Sequence, residues 1–246
     1  MPDFEGSTLW RTSAFDLLRK AASSGSHVGL KRQTLISTTL QAELRLLDRR
    51  SESADVLEVL AACVRLRESA LVYLQCDGLV WPVTVFPTEE LYHSPRSLMA
   101  ASERVLRTLA VIDVEPAGVR PPGHWMHDRI AKSETYHALT PALWRLALLG
   151  PRSQLLTEIG GTAAYRALRN PANQQLAMPG AIAPVLARLR KQAASLPTMA
   201  GWPGMSMGRA SRVLNALYLT SNLLVSRSHH AARSGPIEWL FGARRR

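Results

Sequence analysis

Lysine, cysteine and long apolar runs are scarce in this chain of 246 residues, and each scarcity excludes something. There are two cysteines, Cys63 and Cys76. Two cysteines cannot build the disulfide framework of a small secreted domain. Cys63 falls in a helical pattern and Cys76 ends a predicted strand, so both read as small buried hydrophobes, not as ligands or a bridge. The best membrane candidate, Val213–Ser226, lies between Arg212 and Arg227 and contains Asn215 and Asn222. It falls short of the roughly 20 residues that a spanning helix needs. Met1–Lys20 carries Asp3, Glu5 and Asp16 without a continuous apolar core, unlike a secretory signal. The expectation is a cytoplasmic protein with no membrane span.

Four lysines (Lys20, Lys31, Lys132, Lys191) stand against 26 arginines. A GC-rich coding sequence raises arginine and alanine together, so arginine's preference for bidentate contacts proves little here. Placement says more. Residues 1–115 carry 13 basic and 15 acidic side chains, a net −2, whereas residues 116–246 carry 17 basic and four acidic ones (Asp128, Glu134, Glu158, Glu238), a net +13. Codon bias does not remove carboxylates from one half. Such a segment repels itself unless something anionic lies near it.

What is present reads as a globular protein, with 46% hydrophobic and 20% charged residues. Residues 1–29 form a flexible N-terminal segment. Two amphipathic helices follow, one through Leu40, Leu44 and Leu47 and one through Val56, Leu60 and Val64. Ala70–Cys76 and Leu79–Phe86 are apolar runs joined by Asp77-Gly78, a strong signature of a hairpin with a type I′ turn. Pro82 removes a backbone donor, which puts the second strand at an edge or at a bulge. A helix over Leu98–Leu109 and a third strand from Ala110 to Val114 complete an α+β module, residues 30–115, suited to docking or dimerisation. Residues 116–138, rich in proline and glycine, read as a linker.

Residues 139–246 read as a basic, all-helical domain. Pro141–Leu149 has an N-cap at Thr140 and a stop at Gly150. Ser153–Ile159, Thr162–Arg169, Ile182–Leu196 and Arg209–Arg227 supply the other helices. The fold class expected is therefore α+β: a small N-terminal module with an antiparallel hairpin, then an all-helical basic domain.

The candidate sites follow from the charge. Ser153–Arg169 has the rhythm of a helix-turn-helix, with Arg166 and Arg169 on the exposed face of its second helix, although Gly160-Gly161 makes a poor turn. Gly160-Gly161-Thr162 could offer backbone N–H groups to a phosphate, but it lacks the lysine and spacing of a P-loop. Arg188, Arg190, Lys191, Arg209, Arg212 and Arg227 supply most of the remaining positive field, and Tyr165, Trp202, Trp239 and Phe241 could stack on bases or anchor the core. His124, His127 and Asp128 form the one cluster with catalytic flavour. The adjacent His-Asp pair is reminiscent of the metal-dependent HD phosphohydrolases, which need an upstream histidine (His93 is available) and a later aspartate. No aspartate follows Asp128. No nucleophile elbow or dinucleotide fingerprint occurs, and no cofactor is expected.

These features point to a non-enzymatic binding or regulatory protein whose basic half engages a polyanion, nucleic acid first. An interaction scaffold for an acidic protein is the alternative, a metal-dependent hydrolase around His124, His127 and Asp128 a second. The N-terminal module could mediate homodimerisation.

Overall fold

A computed structural model describes residues 9–24, 36–49, 55–124, 135–169 and 176–233. The chain divides into two compact units, Met1–Ala142 and Leu143–Arg246, with the division inside the helix Leu139–Leu149.

The first unit is built on the predicted hairpin. Strands β2 (Ala70–Cys76) and β3 (Leu79–Phe86) pair antiparallel from Cys76↔Leu79 to Ala70↔Val85. Asp77 and Gly78 both have positive φ, 47° and 76°, the geometry that a type I′ turn requires. The third strand, β5 (Ala110–Pro116), pairs with the other side of β2, with a bulge opposite Tyr73/Leu74. Two short strands, β4 (Leu91–His93) and β6 (Tyr136–Ala138), extend the sheet in the order β5-β2-β3-β4-β6. Strand β1 (Trp10–Arg11) pairs with β3 at Leu79 and Val80.

Strand β3 is therefore interior, not an edge strand, and Pro82 explains how. Its outer side pairs with β1 at residues 79 and 80 and with β4 from Thr84 onward. Pro82 sits in the gap between those partners, where no ladder bond asks for its missing N–H. The Pro82 carbonyl accepts from the Ser94 hydroxyl at 3.2 Å, and Ser94 Oγ in turn accepts from Trp81 Nε1 at 2.7 Å.

Both sheet faces are covered. On one, Phe15 of α1 (Thr12–Ser24) packs on Tyr73 and Val80, and Arg19 reaches Asp113 at 3.0 Å. Burying one such aromatic contributes about 1.5–3 kcal/mol. The Tyr73 hydroxyl donates to Glu115 at 3.0 Å; burial, then that carboxylate, push its pKa upward. The opposite face carries Val72, Leu74, Trp81 and Val83, all buried. Helices α2 (Thr38–Arg49) and α3 (Val56–Leu66) pair with each other, and Asp55 caps α3 by accepting from the Leu57 and Glu58 amides. The expected helix over Leu98–Leu109 is broken into a 3₁₀ turn, Leu98–Ala100, and α4 (Glu103–Thr108), because Ser97 and Ser102 each cap a separate start.

The second unit corrects the expected fold class. It is not all-helical: strands are spread through the whole chain, and a second antiparallel sheet has the order β8-β7-β9. The segment expected as the helix Thr162–Arg169 contains β7 (Ala164–Ala167), which pairs with β8 (Ala194–Ser195) and β9 (Leu223–Ser226). Its alanines favour a helix intrinsically, but partners on both sides override a propensity worth tenths of a kcal/mol per residue. The expected helix Arg209–Arg227 stops at Leu219 for a local reason. The Thr220 hydroxyl folds back to Ala216 O at 2.8 Å, Ser221 adopts φ 56°, and β9 follows.

The remaining helices of this unit are α5 (Leu139–Leu149, which spans the division), α6 (Ile182–Lys191), α7 (Leu196–Ala200), α8 (Met207–Leu219) and α9 (His230–Arg233). Thr140 lies inside α5 instead of capping it, whereas Gly150 does close the helix, its amide bonding Leu146 O at 2.7 Å. A β-carbon at Gly150 would collide with that same carbonyl oxygen.

Gly78 supplies a clean test of the hairpin. A Cβ there meets no atom within 4 Å, so Gly78→Ala adds conformational strain without a clash. The expected loss is about 1–2 kcal/mol, read as a lower urea midpoint; an unchanged midpoint would contradict the turn geometry.

Candidate polyanion interface

Three of the arginine and lysine side chains read from the sequence converge. Strand β7 alternates: Tyr165 and Ala167 are buried, while Arg166 between them points to solvent. The Arg166 Nε donates to the Arg190 carbonyl at 3.3 Å, which ties the strand to the last turn of α6. That turn holds Arg188, Arg190 and Lys191. Cations suit the negative end of a helix dipole, so the fold itself favours basic residues at this point. Arg166, Arg190 and Lys191 rim a shallow pocket of about 410 Å³ whose floor is Ala167, Leu168, Ala187 and Leu224. Leu168 and Leu224 remain 54% and 49% exposed. No carboxylate lines the pocket. Glu158 is the sole acidic residue between 143 and 233.

The other flagged cations have different surroundings. The Arg188 guanidinium lies 4.5 Å from the centre of the Trp202 ring. Arg209 donates to Gly204 O at 2.9 Å, Arg212 to Leu148 O at 2.9 Å, and Arg227 to Gly160 O and Glu158 O at 3.3 and 3.1 Å. Arg169 is exposed just beyond β7. Backbone carbonyls thus hold Arg209, Arg212 and Arg227 against their own unit. Gly160-Gly161-Thr162, tested for phosphate, presents the Gly160 carbonyl to Arg227, and Gly161 takes φ 81°.

The helix-turn-helix reading of Ser153–Arg169 fails, because its second half is the strand β7. A different pair, α7 and α8, does have helix, turn, helix order, with Ser206 capping α8 through the Arg209 amide. A recognition helix must keep a polar face free for the major groove. Helix α8 does not. Ala210, Ser211 and Val213 through Leu217 are all buried. Asn215 accepts from Leu156 N at 2.9 Å and donates to Gln154 O at 2.8 Å, so the segment before β7 seals the face that would read bases.

The aromatic candidates are equally committed. Tyr165 is fully buried and donates to Ile159 O at 2.6 Å; burial raises its pKa. Trp202 is 6% exposed beneath Arg188. Trp239 and Phe241 lie outside the described residues, as do His127 and Asp128. His124 is half-buried, and His93 packs at a tilt against Tyr136 with ring centres 4.9 Å apart. Among the described residues no group of three His, Cys, Asp or Glu side chains could hold a metal ion. Burial, helped by Glu68, pushes the Cys63 thiol pKa up to about 12, which disfavours the thiolate near neutrality. No helix among the described residues is long and apolar enough to cross a membrane.

The apolar floor of the pocket went unnoticed in the sequence. Leu168 follows Arg166 by two positions, and Leu224 is its cross-strand partner. A strand reading of this segment would have placed all three on one face. No protein family, curated protein or solved structure matches the chain.

The sealed helix can be tested directly. Asn215→Ala strands the buried Leu156 amide, so it should lower stability by about 1–3 kcal/mol, read as a fall in thermal midpoint. A midpoint equal to wild type would reopen α8 as a free surface.

Proposed function

We propose that the chain is a non-enzymatic binding protein whose second unit docks an acidic protein segment on the Arg166/Arg190/Lys191 patch. The observation that carries this reading is the combination at one place of three cations, two exposed leucines and no carboxylate. Carboxylates of a partner would meet the rim, and its apolar side chains would cover Leu168 and Leu224. An apolar centre within a polar rim is the usual anatomy of a protein interface.

Nucleic acid, the first expectation from charge alone, fits less well. Its phosphates would satisfy the rim but leave the leucines uncovered. Tyr165 and Trp202 are unavailable for stacking, and α8 has no face to read a groove. The first unit adds no support for self-association. The edge strand β5 carries a bulge in its pairing with β2 at Tyr73/Leu74, a device that discourages strand addition.

Fluorescence anisotropy with three labelled probes separates the readings: a peptide of interspersed Glu and Leu, the same peptide with Leu→Ser, and a DNA oligonucleotide. The Glu/Leu peptide should bind tightest, with affinity falling as salt rises. Exposed ion pairs contribute about 0.2–1 kcal/mol each. The triple variant Arg166→Ser, Arg190→Ser, Lys191→Ser should therefore bind the Glu/Leu peptide about tenfold more weakly. Equal or tighter binding of the oligonucleotide would return the patch to nucleic acid, and peptide binding unaffected by the triple variant would dismiss the site.

A further inference from the structure

The first unit contains a second concavity, unrelated to the cationic patch. It lies at the turn end of the β2–β3 hairpin, between the strand face that carries Leu79 and Trp81 and the segment from Arg96 to Val105. Its volume is about 450 Å³. That falls within the roughly 300–1,000 Å³ typical of small-molecule sites. Leu79, Trp81, Ala101 and Val105 make the walls apolar.

Several polar groups of the wall are engaged within the fold. Ser97 Oγ pairs with the Tyr92 hydroxyl at 3.2 Å and accepts from Met99 N at 3.2 Å. Ser102 Oγ accepts from Val105 N at 3.3 Å, and the Trp81 indole N–H donates to Ser94 at 2.7 Å. Two charged side chains, Asp77 and Arg96, also border the cavity. They act on the Cys76 thiol in the same wall in opposite senses: after burial, Asp77 raises its pKa and Arg96 lowers it.

We infer that this cavity binds a small uncharged apolar molecule, held by Leu79, Trp81, Ala101 and Val105. Apolar side chains supply much of the wall, so shape and apolar contact dominate the fit. Burying a charge without a dedicated partner is heavily penalised, whereas an apolar body gains on leaving water.

Two probes with one body decide the matter: 4-phenylbutan-1-ol and 4-phenylbutanoate, titrated into the full-length protein. The Trp81 indole N–H resonance, assigned by its loss in Trp81→Phe, reports occupancy of this wall. The alcohol should shift that signal saturably, and the carboxylate should bind about tenfold more weakly or worse. Val105→Trp should abolish the alcohol's effect by filling the cavity. Ala100→Phe, at an exposed position on the rim, should do the same if Val105→Trp fails to fold. Tighter binding of the carboxylate would overturn the inference. So would absence of a saturable shift, or alcohol binding that persists in a folded cavity-filling variant.

Discussion

A shortage of carboxylates shapes the second unit more than any other constraint. Arginine ordinarily meets aspartate or glutamate when it folds against its own protein, yet Glu158 is the sole acid between residues 143 and 233. Backbone carbonyls take over that task. Arg212 bonds the carbonyl of Leu148, Arg227 those of Glu158 and Gly160, Arg209 that of Gly204, and Arg166 that of Arg190. Such bonds satisfy the geometry of the guanidinium and tie loops to helices and strands, but a carbonyl brings only a partial charge. Hydrogen bonding is satisfied while net charge remains, and the unit keeps its positive field.

The first unit shows the contrast. Arg19–Asp113, Arg65–Glu43 and Arg107–Glu103 are ion pairs at 3.0, 3.0 and 3.4 Å, all on its partly exposed surface. Its charge is balanced locally, and its sheet is covered by apolar packing on both faces. A field confined to one unit identifies where an anionic partner can gain, because a locally neutral surface offers it little. Within the second unit, the carbonyl-bound arginines differ in reach. Arg212 is half-buried and works inside the fold, whereas Arg166 is exposed, bonded at Nε, and lines one pocket with Arg190 and Lys191.

Local signals were legible in the sequence and long-range pairings were not. Asp77-Gly78 dictates its own backbone, so the hairpin could be placed to the residue, and the apolar run at Ala110 gave the next strand for the same reason. Strands β4 and β6 have three residues each, and nothing in Leu91–His93 or Tyr136–Ala138 reveals that a partner lies more than forty positions away. Strand β7 was misread because two of its four residues are alanine, while its real determinants, Ala194 and Val225, are remote. Pro82 misled differently. The rule that proline avoids ladder positions held, but a strand can obey it in the sheet interior by changing partners at the proline. As for the interface, charge counting found Arg166, Arg190 and Lys191, together with five cations that have other surroundings. It could not find Leu168 and Leu224, because an exposed leucine is visible only once the strand that turns it outward is known.

That last point also limits how the charge of this chain should be interpreted. A net +13 spread over many arginines resembles the footprint of a nucleic-acid binder when read as a sum. Sorted by what each side chain touches, the described part of that sum includes arginines bonded to the unit's own backbone, one over Trp202, and a group of three around apolar ground. Nucleic-acid affinity draws mainly on the number of phosphates neutralised together, so cations turned inward contribute less to it than their count suggests. A partner whose own surface combines carboxylates with apolar side chains gains from both parts of the patch, and it needs far fewer cations to do so.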